Sequence, residues 1–186
     1  FDLGEEFRLE QGKESYGQGI WAPCIRYHEG VFYIFSNINR HGLQVFTSAD
    51  PRGPWTRHPI GENIYDLSVL FENGKIYVVY GQTTIKLVEL KTDLSGIVPG
   101  TETVIIPDGH AMGEGNHLYK IDGKYYIVNA DNGRMQCARS EHIYGPYETV
   151  VISSRETMGT QRAWWTMNMG QHSALPLPGD TLSLAK

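Results

Sequence analysis

Residues 113–126 read GEGNHLYKIDGKYY, and the fold follows from how this stretch is parsed. Residues 117–121 alternate as a strand does, Asp122-Gly123 is a tight-turn pair, and a second strand follows. Asp-Gly between alternating runs is a strong hairpin signal. A single carboxylate, Glu114, stands between Gly113 and Gly115, which leave room for another group to approach it closely. Met once, such an acid would be read as an exposed loop residue.

The pattern is not met once. Hairpins are read at 25–36 (IRYHEGVFYIFS, turning at Gly30), 67–80 (LSVLFENGKIYVVY, turning at Gly74), 117–128 (turning at Gly123) and, more weakly, 173–184 (SALPLPGDTLSL, turning at Gly179). Their turn glycines lie 44, 49 and 56 residues apart. Outer strands are expected at 42–48 and 55–60, at 84–90 and 102–106, and at 135–140 and 147–152. The linkers 48–55 and 140–147 each end Gly-Pro-aromatic, which suits a turn leading into an edge strand. Asp131 and Arg134 are read as turn residues after the third hairpin. No long stretch carries a 3.6-residue apolar period, so the chain is predicted to be all-β. Repeats of this length, each with four short antiparallel strands, predict the blades of a β-propeller.

In such a fold the innermost strand of each blade lines the central axis. The residues just upstream of each turn glycine then ring the mouth of the channel. They are Trp21, Asp66, Glu114 and His172, which precede their turn glycines by 9, 8, 9 and 7 residues. A propeller would gather these four into one cleft. The placement depends on register, since a slip of one residue turns a side chain away.

Composition agrees with a turn-rich β protein: of 186 residues, 21 are Gly and 9 Pro, with 11 Tyr, 6 Phe and 4 Trp. The net charge of -5 and the scattering of 16 basic residues argue against a nucleic-acid partner. Cys24 and Cys137 fall in different repeats and are read as free buried thiols rather than a disulfide. No transmembrane run and no leader is visible. Residues 1–18 hold no complete hairpin, and 175–186 begin one without completing it. A propeller closes to remove its sheet edges. The sequence, 1–186, is therefore expected to be part of a single propeller domain, with an N-terminal blade and the C-terminal closure lying outside it.

Four motifs now stand in order at blade spacing: GIWAPCIRY at 19–27, YDLSVLF at 65–71, EGNHLY at 114–119 and GQHSA at 170–174. Together with the Gly-Pro-aromatic linkers they resemble glycoside hydrolase family 43. That resemblance implies a five-bladed propeller, of which about three blades and parts of two others are present. It implies removal of terminal α-L-arabinofuranosyl or β-D-xylosyl units from plant polysaccharides or oligosaccharides, with inversion. The family commonly has Asp or Thr where Cys24 stands. Its general base is an aspartate of the first blade, and nothing in this sequence matches it; Asp2 is too close to Trp21 and lacks the expected neighbours.

Hydrolysis of a glycoside needs a proton at the leaving oxygen while positive charge builds at the anomeric carbon, and inverting enzymes set the two carboxyls about 6.5–9.5 Å apart. On the resemblance, Glu114 is the general acid, and Asp66 is the pKa modulator whose nearby charge keeps that acid protonated and oriented. Trp21, Arg162 and His172 are the expected substrate-binding residues. No metal site is assigned and no cofactor is called for, although a central calcium or other ion near His172, held largely by water, is compatible with the motif. The family points to secretion or the periplasm and leaves the cytoplasm open. Two other readings compete. The absent base and Cys24 would suit a non-catalytic carbohydrate-binding propeller. A protein-interaction propeller would separate Asp66 and Glu114 by more than about 10 Å, beyond the usual carboxylate spacing.

Overall fold

A computed structural model describes residues 21–38, 40–131 and 134–153. They form twelve strands and no helix: β1 (Trp21–His28), β2 (Val31–Ile38), β3 (Gly42–Ser48), β4 (Thr56–Pro59), β5 (Ser68–Glu72), β6 (Lys75–Tyr80), β7 (Ile85–Leu90), β8 (Thr103–Ile106), β9 (Glu114–Ile121), β10 (Lys124–Asp131), β11 (Arg134–Ser140) and β12 (Glu148–Ser153). Each run of four consecutive strands makes one antiparallel sheet: β1–β4, β5–β8 and β9–β12. These are three blades of a propeller, as the repeat predicted. The hairpin expected at 173–184 lies outside the described residues, as do Arg162 and His172.

Local chemistry sets the three inner hairpins. His28 pairs Val31, Glu72 pairs Lys75 and Ile121 pairs Lys124, so each loop has two residues. Glu29-Gly30, Asn73-Gly74 and Asp122-Gly123 all have positive φ at both positions. That is the turn whose twist matches the flanking strands. Asp131 and Arg134 depart from the expectation. They end β10 and begin β11 as partners in the ladder, and Arg134 Nη2 meets Asp131 Oδ2 at 2.8 Å. The ladder carries on past the alternating run because the pairing across β10 and β11 extends to both.

The middle blade is covered on both faces, which explains the unbroken apolar run IYVVY that follows Lys75 in β6. Ile76, Val78 and Tyr80 join Phe35, Val45 and Val69 in a core against the first blade. Tyr77 and Val79 face the other way, with Leu118, Ile127 and Ala138 of the third. The period-2 alternation of one strand thus feeds two cores. Cys24 and Cys137 are free and buried, and burial raises both thiols above the usual range.

Polar ties also join the blades. The hydroxyl of Ser68 on β5 accepts from Arg26 Nη2 of β1 at 2.8 Å and from the Leu118 amide of β9 at 2.9 Å. Arg26 Nε donates to the Val69 carbonyl at 2.6 Å. The inner strands of three blades therefore stand side by side at one buried hydroxyl. Glu72 receives Lys120 and the Tyr125 hydroxyl from the third blade, and Glu89 receives Tyr144 from that blade and Lys75 from its own. Burial alone would raise these two carboxyls. Their hydrogen-bond donors outweigh it and hold both below the usual range.

Candidate active site

Three of the residues singled out from register sit at the same end of the inner strands. Trp21 opens β1, Glu114 opens β9, and Asp66 lies two residues before β5. Trp21 is 40% exposed, and its carbonyl accepts from the Ser36 hydroxyl at 2.9 Å. Its ladder partner Asn37 reaches across to the next blade, donating to Asn63 Oδ1 at 2.8 Å and accepting from the Ile64 amide at 3.0 Å. The first blade is thereby pinned to the segment that delivers Asp66.

Asp66 and Glu114 come together. Oδ2 of Asp66 accepts from the Gly115 amide at 3.0 Å, and Oε2 of Glu114 accepts from the Tyr65 hydroxyl at 2.8 Å. The two dipeptides 65–66 and 114–115 clasp one another. Backbone conformation makes this feasible. An extended chain would send side chains 65 and 66 to opposite sides, but Asp66 has φ of +48°. This left-handed turn costs an L-residue about 1–2 kcal/mol, and Asp is among the side chains that tolerate it best. Strain of this kind collects at functional sites.

A buried amide network holds the clasp from below. Asn116 Nδ2 donates to the Asp66 carbonyl at 3.0 Å and to the Gly81 carbonyl at 2.8 Å. Its Oδ1 accepts from Asn129 Nδ2 at 3.1 Å, and Asn129 Oδ1 in turn accepts from the Gly113 amide at 3.2 Å. The Gly81 amide donates back to the Tyr65 carbonyl at 2.9 Å. Tyr65, Asn116 and Asn129 were not singled out from the sequence. Tyr65 and Asn116 do stand inside the quoted motifs, next to the acids, and that adjacency was the available signal.

Gly113 is required by close approach. A Cβ built there would lie 1.9 Å from the Ala130 carbonyl oxygen. Backbone of the paired strand cannot swing aside as a side chain can. Gly113→Ala is therefore expected to destabilise the fold by about 1–3 kcal/mol, the usual cost of overpacking. It should also displace Glu114 and lower activity. Denaturant titration of the variant checks this, and an unchanged midpoint would contradict it.

Electrostatically the pair is asymmetric. Burial, and after it the neighbouring charge of Glu114, push the Asp66 carboxyl up to about 6, against the lowering effect of the Gly115 amide. Tyr65 is raised above its ordinary range, by burial first and by its bond to Glu114 second. The raised carboxyl of the pair is that of Asp66, so above about pH 6 it is ionised and sets a negative charge beside Glu114. Among the described residues there is no group of three His, Cys, Asp or Glu side chains that could hold a metal ion. His172, on which the expectation of a central ion rests, is outside them.

Comparisons with known proteins place the chain in a family. The family profile of glycosyl hydrolases family 43 matches residues 2–177. A β-xylosidase of Formosa agariphila is 28% identical over 89% of this chain and 36% of its own length. A non-reducing end α-L-arabinofuranosidase of Bacteroides ovatus is 32% identical over 73% of this chain and 28% of its own. Among solved structures, a bifunctional GH43-CE protein of Bacteroides eggerthii superposes with a TM-score of 0.73 at 36% identity, covering 83% of this chain and 22% of that one. The chain thus spans about a third, or less, of the relatives it matches. With the profile match running over nearly its whole length, the chain belongs to glycosyl hydrolases family 43.

Proposed function

We propose that the full-length protein removes terminal β-D-xylosyl or α-L-arabinofuranosyl units from a plant polysaccharide or oligosaccharide by single displacement with inversion. The observation that carries this reading is the clasp of Asp66 and Glu114, from different blades, at one end of the inner strands. The names of the relatives, β-xylosidase and α-L-arabinofuranosidase, support the sugar class. Glu114 gives its proton to the glycosidic oxygen. The bond from that oxygen to the anomeric carbon breaks, and its electron pair leaves with the aglycone. A water attacks the opposite face and loses a proton to a base that the family resemblance assigns to an aspartate upstream of Trp21. Asp66 sets the charge beside the acid, and Trp21 offers an exposed ring to the sugar at the same mouth.

The test is hydrolysis of aryl β-D-xyloside and aryl α-L-arabinofuranoside by the full-length protein, with the first-formed sugar anomer followed by proton NMR. Release of the inverted anomer is the expected result. Retained configuration would overturn the mechanism. Binding of xylo-oligosaccharide by calorimetry without any hydrolysis would instead favour a carbohydrate-binding propeller.

A further inference from the structure

We propose that Tyr65 is a positioning residue for the acid: its hydroxyl engages Oε2 of Glu114 and thereby reserves Oε1 for the proton that is delivered. This rests on the reading of Glu114 as general acid. The Tyr65 hydroxyl stands 2.8 Å from Oε2 and donates to it. A protonated Glu114 holding that bond carries its proton on the other oxygen. When the proton passes to the leaving oxygen, Glu114 becomes a full carboxylate, and a hydrogen bond to an ionised acceptor is stronger than one to a neutral acceptor. The contact therefore gains strength as the transition state is approached, which is the condition for raising a rate rather than merely tightening binding. Tyr65 keeps its own proton throughout.

The backbone of Tyr65 is held in place for this. Its carbonyl accepts the Gly81 amide at 2.9 Å, and the left-handed turn at Asp66 brings side chains 65 and 66 to the same neighbouring strand. Asn116 secures that turn from beneath through the Asp66 carbonyl. The hydroxyl itself is at the solvent side of the site, with Tyr65 38% exposed, so its removal leaves the cores untouched.

The experiment compares Tyr65→Phe with the wild-type full-length protein on a series of aryl β-D-xylosides, from 2,4-dinitrophenyl to 4-methoxyphenyl. A good leaving group needs little protonation and a poor one depends on it. The expected result is a fall in kcat of about tenfold on the poorest leaving group, the equivalent of one charge-assisted hydrogen bond. On 2,4-dinitrophenyl xyloside the fall should be under about threefold, with KM and the thermal midpoint unchanged. An equal loss across the series, or no loss anywhere, overturns the proposal, since a structural tyrosine would not respond to the leaving group. Glu114→Gln is measured alongside. If that variant keeps wild-type rates across the series, it is the assignment of the acid that fails, and the role of Tyr65 falls with it.

Discussion

Replacing Glu114 with glutamine in the full-length protein is expected to lower kcat/KM for 4-nitrophenyl β-D-xyloside by about 10³-fold, within the range a general acid contributes. The substitution preserves shape. Its amide oxygen can still accept the Tyr65 hydroxyl, and the Gly115 amide is free to keep its bond to Asp66. What disappears is the transferable proton. Loss should therefore be largest for natural linkages and smallest for dinitrophenyl aglycones, while substrate affinity by calorimetry stays within a few-fold. Turnover at the wild-type rate would remove Glu114 from the mechanism. A fall in affinity as large as the fall in rate would make it a binding residue instead.

Asp66→Asn is expected to damage activity and improve stability, with a pH dependence that identifies the cause. The Asp66 carboxyl is raised to about 6 by burial first and by Glu114 second. Its ordinary value is about 3.9. A carboxyl raised in the folded state binds its proton more tightly there than in the unfolded chain. Stability therefore falls as pH rises between about 4 and 6, and above that range the whole cost of ionisation is present. A shift of about two units corresponds to about 3 kcal/mol. Asp66 is half-buried, and screening by water reduces this to about 1–2 kcal/mol. Asparagine cannot ionise, accepts the Gly115 amide through Oδ1, and tolerates the left-handed backbone at this position. The variant should be more stable than wild type by that amount at pH 7 and equal to it at pH 4, measured by urea titration. Its kcat/KM should fall about 10²-fold, because the charge beside the acid is gone. A stability difference that does not change between pH 4 and pH 7 would show that ionisation of Asp66 is not its source.

The three inner hairpins were legible because their determinants are local. Glu-Gly, Asn-Gly and Asp-Gly can take positive φ at both turn positions, and the alternation on either side fixes which residues pair. The outer strands followed from the same alternation; β3 falls at the residues expected, and β4, β7, β8, β11 and β12 within a residue or two of them. The positions of Asp66 and Glu114 were legible as register to within one residue, since they stand 8 and 9 residues before their turn glycines. His172 was read by the same logic, and both it and Arg162 lie outside the described residues. Asp131 and Arg134 were misplaced as turn residues because ladder pairing, not local propensity, decides where two strands stop.

By itself the sequence determined the repeat, the all-β class, the free buried thiols and the pair of carboxylates that recur at one place in successive blades. Those features depend on residues near one another in the chain, or on a period. Only the tertiary structure decided that Tyr65 rather than Asp66 bonds the Glu114 carboxylate. It alone also showed that Asn116 holds the turn beneath them, and that the Ser68 hydroxyl joins three blades. Partners in these contacts are 42 to 50 residues apart. The left-handed backbone of one aspartate and the docking of whole sheets bring them together, and no pattern within a single blade records either.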